Sequence, residues 1–327
     1  MQSAESSVRA IYRACKLDAA APPYDNVTLK IFYAGLIDDS DETRNAGLVP
    51  PVPRDAACPV VIFLPGINVG PESYAWIAER CAAAGMIAVT YSHIAEEMPG
   101  YISLTPGLDI SALTPGEYGT RPSATALDAI LTTLADINAD GLLQGLLELD
   151  QVVLAGHSAG GSVALFNANR DWYPQVCGAA AYGAHAAASK VLGYDDDAIL
   201  MLPDSVPLLM MAGTRDGVIA SSAHRYGDDE ADPLARIRDS FERGIASDRG
   251  DCFLVEIEGA NHFSFAYPLS ETTGRSYLDW PEEADNSEIR HCIADTLIEF
   301  ISAATDPTRD NMDQVAEHTL VASMRRR

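Results

Sequence analysis

The segment Gln151-Val-Val-Leu-Ala-Gly-His-Ser-Ala-Gly-Gly161 runs from apolar, β-branched residues through Gly156-His157-Ser158-Ala159-Gly160 into sequence of helical period. A serine with glycine two positions before and two after suits a strand-to-helix turn too tight for larger side chains. Ser158 is then an exposed hydroxyl, but serine needs a base to attack at neutral pH, and the base needs a carboxylate to fix its tautomer. Both lie downstream. Strand 207–212 runs into Gly213-Thr214-Arg215-Asp216, and strand 253–257 into Glu258-Gly259-Ala260-Asn261-His262, so Asp216 and His262 are expected just past two strand ends. Acyl transfer also requires donors for a developing oxyanion, usually two backbone N–H groups. The residue after the nucleophile, Ala159, supplies one, and the Gly/Pro turn 64–70 supplies the other, Ile67 being favoured over Asn68.

The remaining histidines divide by position. His157 adjoins the nucleophile but projects in another direction, which suits a structural role. His185 and His93 each follow a predicted strand and, with Asn68, are candidate substrate contacts; an ordinary loop role is the alternative for both histidines. His224, His291 and His318 have no companions at metal-ligand spacing, and the six cysteines are scattered without a CxxC pair. Neither a metal nor a cofactor is expected.

The elements that must position these residues alternate short apolar runs with longer helix-period segments, which predicts an α/β, doubly wound, mostly parallel sheet. Strands are expected at 28–33, 60–64, 87–91, 152–155, 178–182, 207–212 and 253–257, and helices at 71–84, 123–138, 158–169, 232–247 and 287–303. A single domain over 1–327 accommodates them, with its core at about 28–304. Residues 94–122 lack clear periodicity and repeat a Leu-Thr-Pro-Gly turn, so they are assigned as a lid, a plain surface connection being the alternative. Residues 217–251, between the acid and the histidine, are a candidate cap insertion. The tail 305–327 is expected to add a last helix whose terminal arginines suit a helix C-terminus.

A formal net charge of −25 over 327 residues disfavours nucleic acid and anionic lipid surfaces as partners. No apolar run is long enough to cross a bilayer, so integral membrane association is not expected. Charges at Glu5, Arg9, Arg13 and Lys16 interrupt the stretch where a secretory signal needs its apolar core, which points to a cytoplasmic protein. Composition leaves oligomeric state open.

Pro65-Gly66-Ile67, the Ser158 turn, Gly213-Thr214-Arg215-Asp216 and Gly259-Ala260-Asn261-His262-Phe263 together resemble the α/β-hydrolase superfamily. The resemblance is to its serine esterase branch of dienelactone hydrolase-like proteins, cutinase-like polyester hydrolases, chlorophyllases and platelet-activating-factor acetylhydrolases. Arg121-Pro122 before a helix adds to it. Three departures stand out, one being that Asp216 and His262 are farther apart in the chain than the acid and histidine of cutinase-like enzymes. Tyr182-Gly183-Ala184-His185 stands where cutinase-like enzymes present a tryptophan, and a serine stands where dienelactone hydrolases proper use cysteine. The resemblance implies an α/β-hydrolase fold with lid or cap insertions and a carboxylic ester hydrolase acting on a small or medium ester. Thioesterase, amidase or acyltransferase chemistry would use the same triad, and a non-catalytic ligand-binding homologue is the reading from another class.

Overall fold

The computed structural model describes residues 5–38, 40–226, 231–246 and 248–327. An N-terminal hairpin pairs β1 (Glu5–Lys16) with β2 (Asn26–Ile37) in one register from Glu5↔Ile37 to Lys16↔Asn26. There follow β3 (Cys58–Leu64), α1 (Ala75–Ala83), β4 (Ile87–Met98), β5 (Tyr101–Leu104), α2 (Leu127–Ala139), β6 (Leu147–His157) and α3 (Ala159–Phe166). The chain continues through β7 (Val176–Tyr182), β8 (Leu208–Gly213), α4 (Gly217–Ser222), α5 (Ala235–Gly244) and β9 (Cys252–Ile257). It ends with α6 (Asn286–Thr305), α7 (Met312–Val315) and β10 (Val321–Arg326).

The strands form one mixed, mostly parallel sheet in the order β1-β2-β4-β3-β6-β7-β8-β9-β10, with β5 paired to the outer part of β4. The six strands from β4 to β9 run parallel, whereas β1, β2, β5 and β10 pair antiparallel. Period-two alternation sends successive side chains of the central strands to opposite faces. Val60, Ile62 and Leu64 belong to the same apolar layer as Leu127, Ile130 and Leu134 of α2 and Ile237 and Phe241 of α5. Val61 and Phe63 face the other way, toward Ile77 of α1 and Ile293, Leu297 and Phe300 of α6. Two apolar layers therefore sandwich the sheet, each buried Leu- or Phe-sized side chain contributing about 1.5–3 kcal/mol. No helix among the described residues is long and apolar enough to cross a membrane.

Four stretches differ from the sequence expectations, the first being β1, a strand at Glu5–Lys16 where none was expected. The tail is not a terminal helix: after the short α7 it becomes β10, antiparallel to β9, because its basic residues meet carboxylates on neighbouring elements. Arg325 pairs with Glu256 at 3.1 Å, Arg326 with Asp310 at 2.8 Å and Arg327 with Asp248 at 2.9 Å. Residues 94–122 are partly regular, since β4 runs on to Met98 and turns into β5, with Ile94 opposite Leu104 and Ala95 opposite Ser103. Of the stretch 217–251, α5 covers a sheet face with Ile237 and Phe241, so that part belongs to the core. Residues 227–230 and 247 of that stretch lie outside the described residues.

Candidate active site

Ser158 occupies the turn between β6 and α3 with φ 55° and ψ −124°, a backbone conformation that L-residues rarely adopt. Such positions cost about 1–3 kcal/mol and persist only when their surroundings fix them. Here the Ser158 N–H donates to Tyr182 O on β7 at 2.9 Å, and Ser158 O accepts from Ser162 N at 3.1 Å. The flanking glycines are sterically required. A Cβ on Gly156 would stand 2.2 Å from Gly160 O, and one on Gly160 would stand 2.1 Å from Leu64 O.

Asp216 follows β8 and caps the N-terminus of α4, its Oδ1 accepting from Ile219 N at 2.8 Å. Its Oδ2 lies 2.7 Å from Nδ1 of His262, which opens the turn after β9. A carboxylate can only accept, so Nδ1 carries the proton and Nε2 keeps its lone pair. Both side chains are buried, and the backbone of Gly183 makes room for them: a Cβ there would stand 2.9 Å from His262 Nδ1 and 3.1 Å from Asp216 Oδ2.

A hydrogen-bonded chain ties the serine turn to the two loops beside it. His157 Nε2 lies 2.9 Å from His262 O, and a carbonyl only accepts, so Nε2 holds the His157 proton. His157 Nδ1 therefore accepts the Tyr74 hydroxyl at 3.0 Å, whose oxygen in turn accepts Gly66 N–H at 2.9 Å. Burial, and then the neighbouring His262, push the His157 pKa well below the usual imidazole value, which keeps the ring neutral. Gly66 precedes Ile67, so the chain runs from the 64–70 turn through the residue beside Ser158 to the backbone of His262. Among the described residues, neither Ile67 N–H nor Ala159 N–H donates to a protein acceptor, and both residues line the cavity that Ser158 and His262 also line. For Ala159 the reason is its place in the first turn of α3, where backbone N–H groups have no intrahelical partner.

That cavity, ≈ 570 Å³, lies where β3, β6, β7, β8 and β9 end. Asn68 and His185 are in its wall. Asn68 also holds the 64–70 turn to β5: its N–H donates to Leu104 O at 2.9 Å and its Oδ1 accepts from Leu104 N at 3.1 Å. His185 packs edge-on against Tyr226, with ring centroids 4.6 Å apart. His93 is not brought to the cavity; it is buried on β4 with Nε2 3.2 Å from Tyr24 O, because β2 and its turn cover that face. Two guanidinium side chains, Arg225 and Arg275, also line the wall. Arg275 donates to Ser222 Oγ at 3.3 Å, and burial, then Arg225, lower its pKa.

Sequence reasoning missed two contributors. Tyr74 had no motif to mark it. Asp279 stands in an acidic loop with Glu282, Glu283 and Asp285 and carried no signal of its own, yet its carboxylate reaches the backbone of both the Asp216 and the His262 loops. Among the described residues no group of three or more His, Cys, Asp or Glu side chains is placed to hold a metal ion. No protein-family model and no curated protein sequence matches this chain, so the chemistry of the site is argued from its own geometry.

Proposed function

We propose that this chain is a serine hydrolase of the α/β-hydrolase kind that cleaves a carboxylic ester through an acyl-enzyme. The observation that carries the reading is a serine held at positive φ on a strand-to-helix turn, lining one cavity with a histidine that is hydrogen-bonded to a buried aspartate. The order serine, acid, histidine along the chain, each beyond a different parallel strand, agrees with that superfamily. So do the donors, one after the nucleophile and one in the loop between the third strand and the next helix. Ser158 Oγ attacks the acyl carbon while His262 Nε2 takes its proton. The negative oxygen of the tetrahedral intermediate is received by the N–H groups of Ile67 and Ala159. His262 then passes the proton to the departing alcohol oxygen, leaving the acyl group on Ser158. Water, deprotonated by the same nitrogen, releases the acid, while Asp216 holds the ring and offsets its charge. A cavity of ≈ 570 Å³ suits a small or medium ester.

Ser158→Ala tests the reading with short p-nitrophenyl esters. Turnover should fall by about 10⁴-fold or more with an unchanged circular dichroism spectrum. Retention of wild-type turnover by this variant would remove the nucleophile, and with it the proposal.

A further inference from the structure

Residues 276–283 form a strap across the loops that carry Asp216 and His262. Trp280 O accepts from Asn261 Nδ2 at 2.8 Å, and Gly259 O accepts from Glu283 N at 2.9 Å. On the other side, Arg215 lies 5.2 Å from the Trp280 ring centroid and pairs with Glu283 at 3.2 Å. Asp279 is the centre of the strap. Its Oδ1 accepts from Gly217 N at 2.9 Å, His262 N at 3.2 Å and Trp280 N at 3.0 Å, and its Oδ2 from Phe263 N at 3.1 Å. One carboxylate thus gathers the amide that follows Asp216 and the amides of His262 and its successor.

We propose that Asp279 is a positioning residue that holds the Asp216 and His262 loops in register and places a second negative charge behind the imidazolium formed during turnover. This rests on the Ser158–His262–Asp216 reading and deepens it. Asp216 already pairs with His262 Nδ1, so registry between the two loops decides whether Nε2 points at the serine, and a misplacement of about 1 Å can cost a factor of about 100. The fold supplies this registry from a third segment because Asp216 and His262 stand on separate loops.

The charge of Asp279 is itself adjustable. Burial, and then the nearby Asp216, raise its pKa to about 6, while His262 and the N–H donors act to lower it. The charged or titratable groups around it are Asp216 on the α4 side, His262 on its own turn and Tyr182 at the end of β7. Glu282 further along the strap is hydrogen-bonded to Ser264, and Arg215 is engaged by Glu283. Above about pH 6 the carboxylate holds its donors and supports a charged His262; as pH falls through that value it takes up a proton and both effects weaken.

The test is the pH profile of Asp279→Asn with a p-nitrophenyl ester. The expected result is a kcat lower by about 10- to 100-fold, a nearly unchanged KM and an acid limb of kcat/KM moved to lower pH, because a negative charge near His262 is gone. A wild-type kcat and acid limb in the variant would overturn the proposal. Fluorophosphonate labelling separates the two levels. If the wild-type protein is not labelled at Ser158, the triad reading fails and this inference with it. If wild type and variant are labelled at equal rates, only the inference fails. Should the variant not fold, amide NMR of the wild type decides. The Gly217, His262 and Phe263 amides, which share the Asp279 carboxylate, should move together in one transition as it takes up its proton near pH 6, and three unrelated profiles would overturn the proposal.

Discussion

At the scale of single residues, the backbone of Ser158 at φ 55° is affordable only because its neighbours lack side chains. Gly160 is the stricter case, since the atoms a Cβ would meet, Leu64 O and Pro65 O, belong to main chain that leads into the 64–70 turn. Gly160→Ala should therefore lower stability by about 3 kcal/mol or more, since the clash can be relieved only by moving backbone. Urea unfolding measures this, and wild-type stability would show that the turn is looser than described. The glycines were legible in the sequence because their spacing around a serine is a local pattern. Tyr74 was not, because its hydrogen bond to His157 joins residues 83 positions apart.

At the scale of elements, strands buried on both faces were readable and edge strands were not. β3 and β8 are short apolar runs between turn residues. β1 carries Arg9 and Arg13, and β10 carries Arg325 and Arg326, which dilute the period-two apolar signal as charges on edge strands do. What fixes β10 is an ion cluster. Glu256 on β9 accepts both Arg238 Nε and Nη2 at 2.8 Å, and Arg325 adds a third bond at 3.1 Å. The Arg238 bonds above all lower the Glu256 pKa from 4.5 to about 2. A carboxylate whose folded pKa is depressed stabilises the fold fully above its unfolded value, and that contribution is lost as pH falls through the folded one. Glu256→Gln should thus cost about 1–3 kcal/mol at pH 7. The penalty should fade between about pH 4.5 and 2, where wild type loses the same contribution. Thermal unfolding at pH 7 and near pH 2 checks this, and an equal difference at both would contradict it.

At the scale of the whole molecule, folding brings residues from positions 67, 158, 216, 262 and 279 to one edge of one sheet. Parallel strands make that convergence systematic, because β3, β4 and β6 to β9 all deliver the loop after them to the same side. This is why the serine, acid and histidine could be placed by reading strand ends alone. Asp279 could not, since the strap that carries it follows the last of those strands by more than a loop's length and has no period of its own. His93 shows the opposite failure: it follows the apolar start of a strand, but β4 continues past it and buries it away from the cavity. If Ser158 is an activated nucleophile, a fluorophosphonate should label the folded protein at one place, Ser158, as read by peptide mass spectrometry, and the adduct should be lost on unfolding and in His262→Ala; an unlabelled protein, or an adduct on another residue, would contradict this.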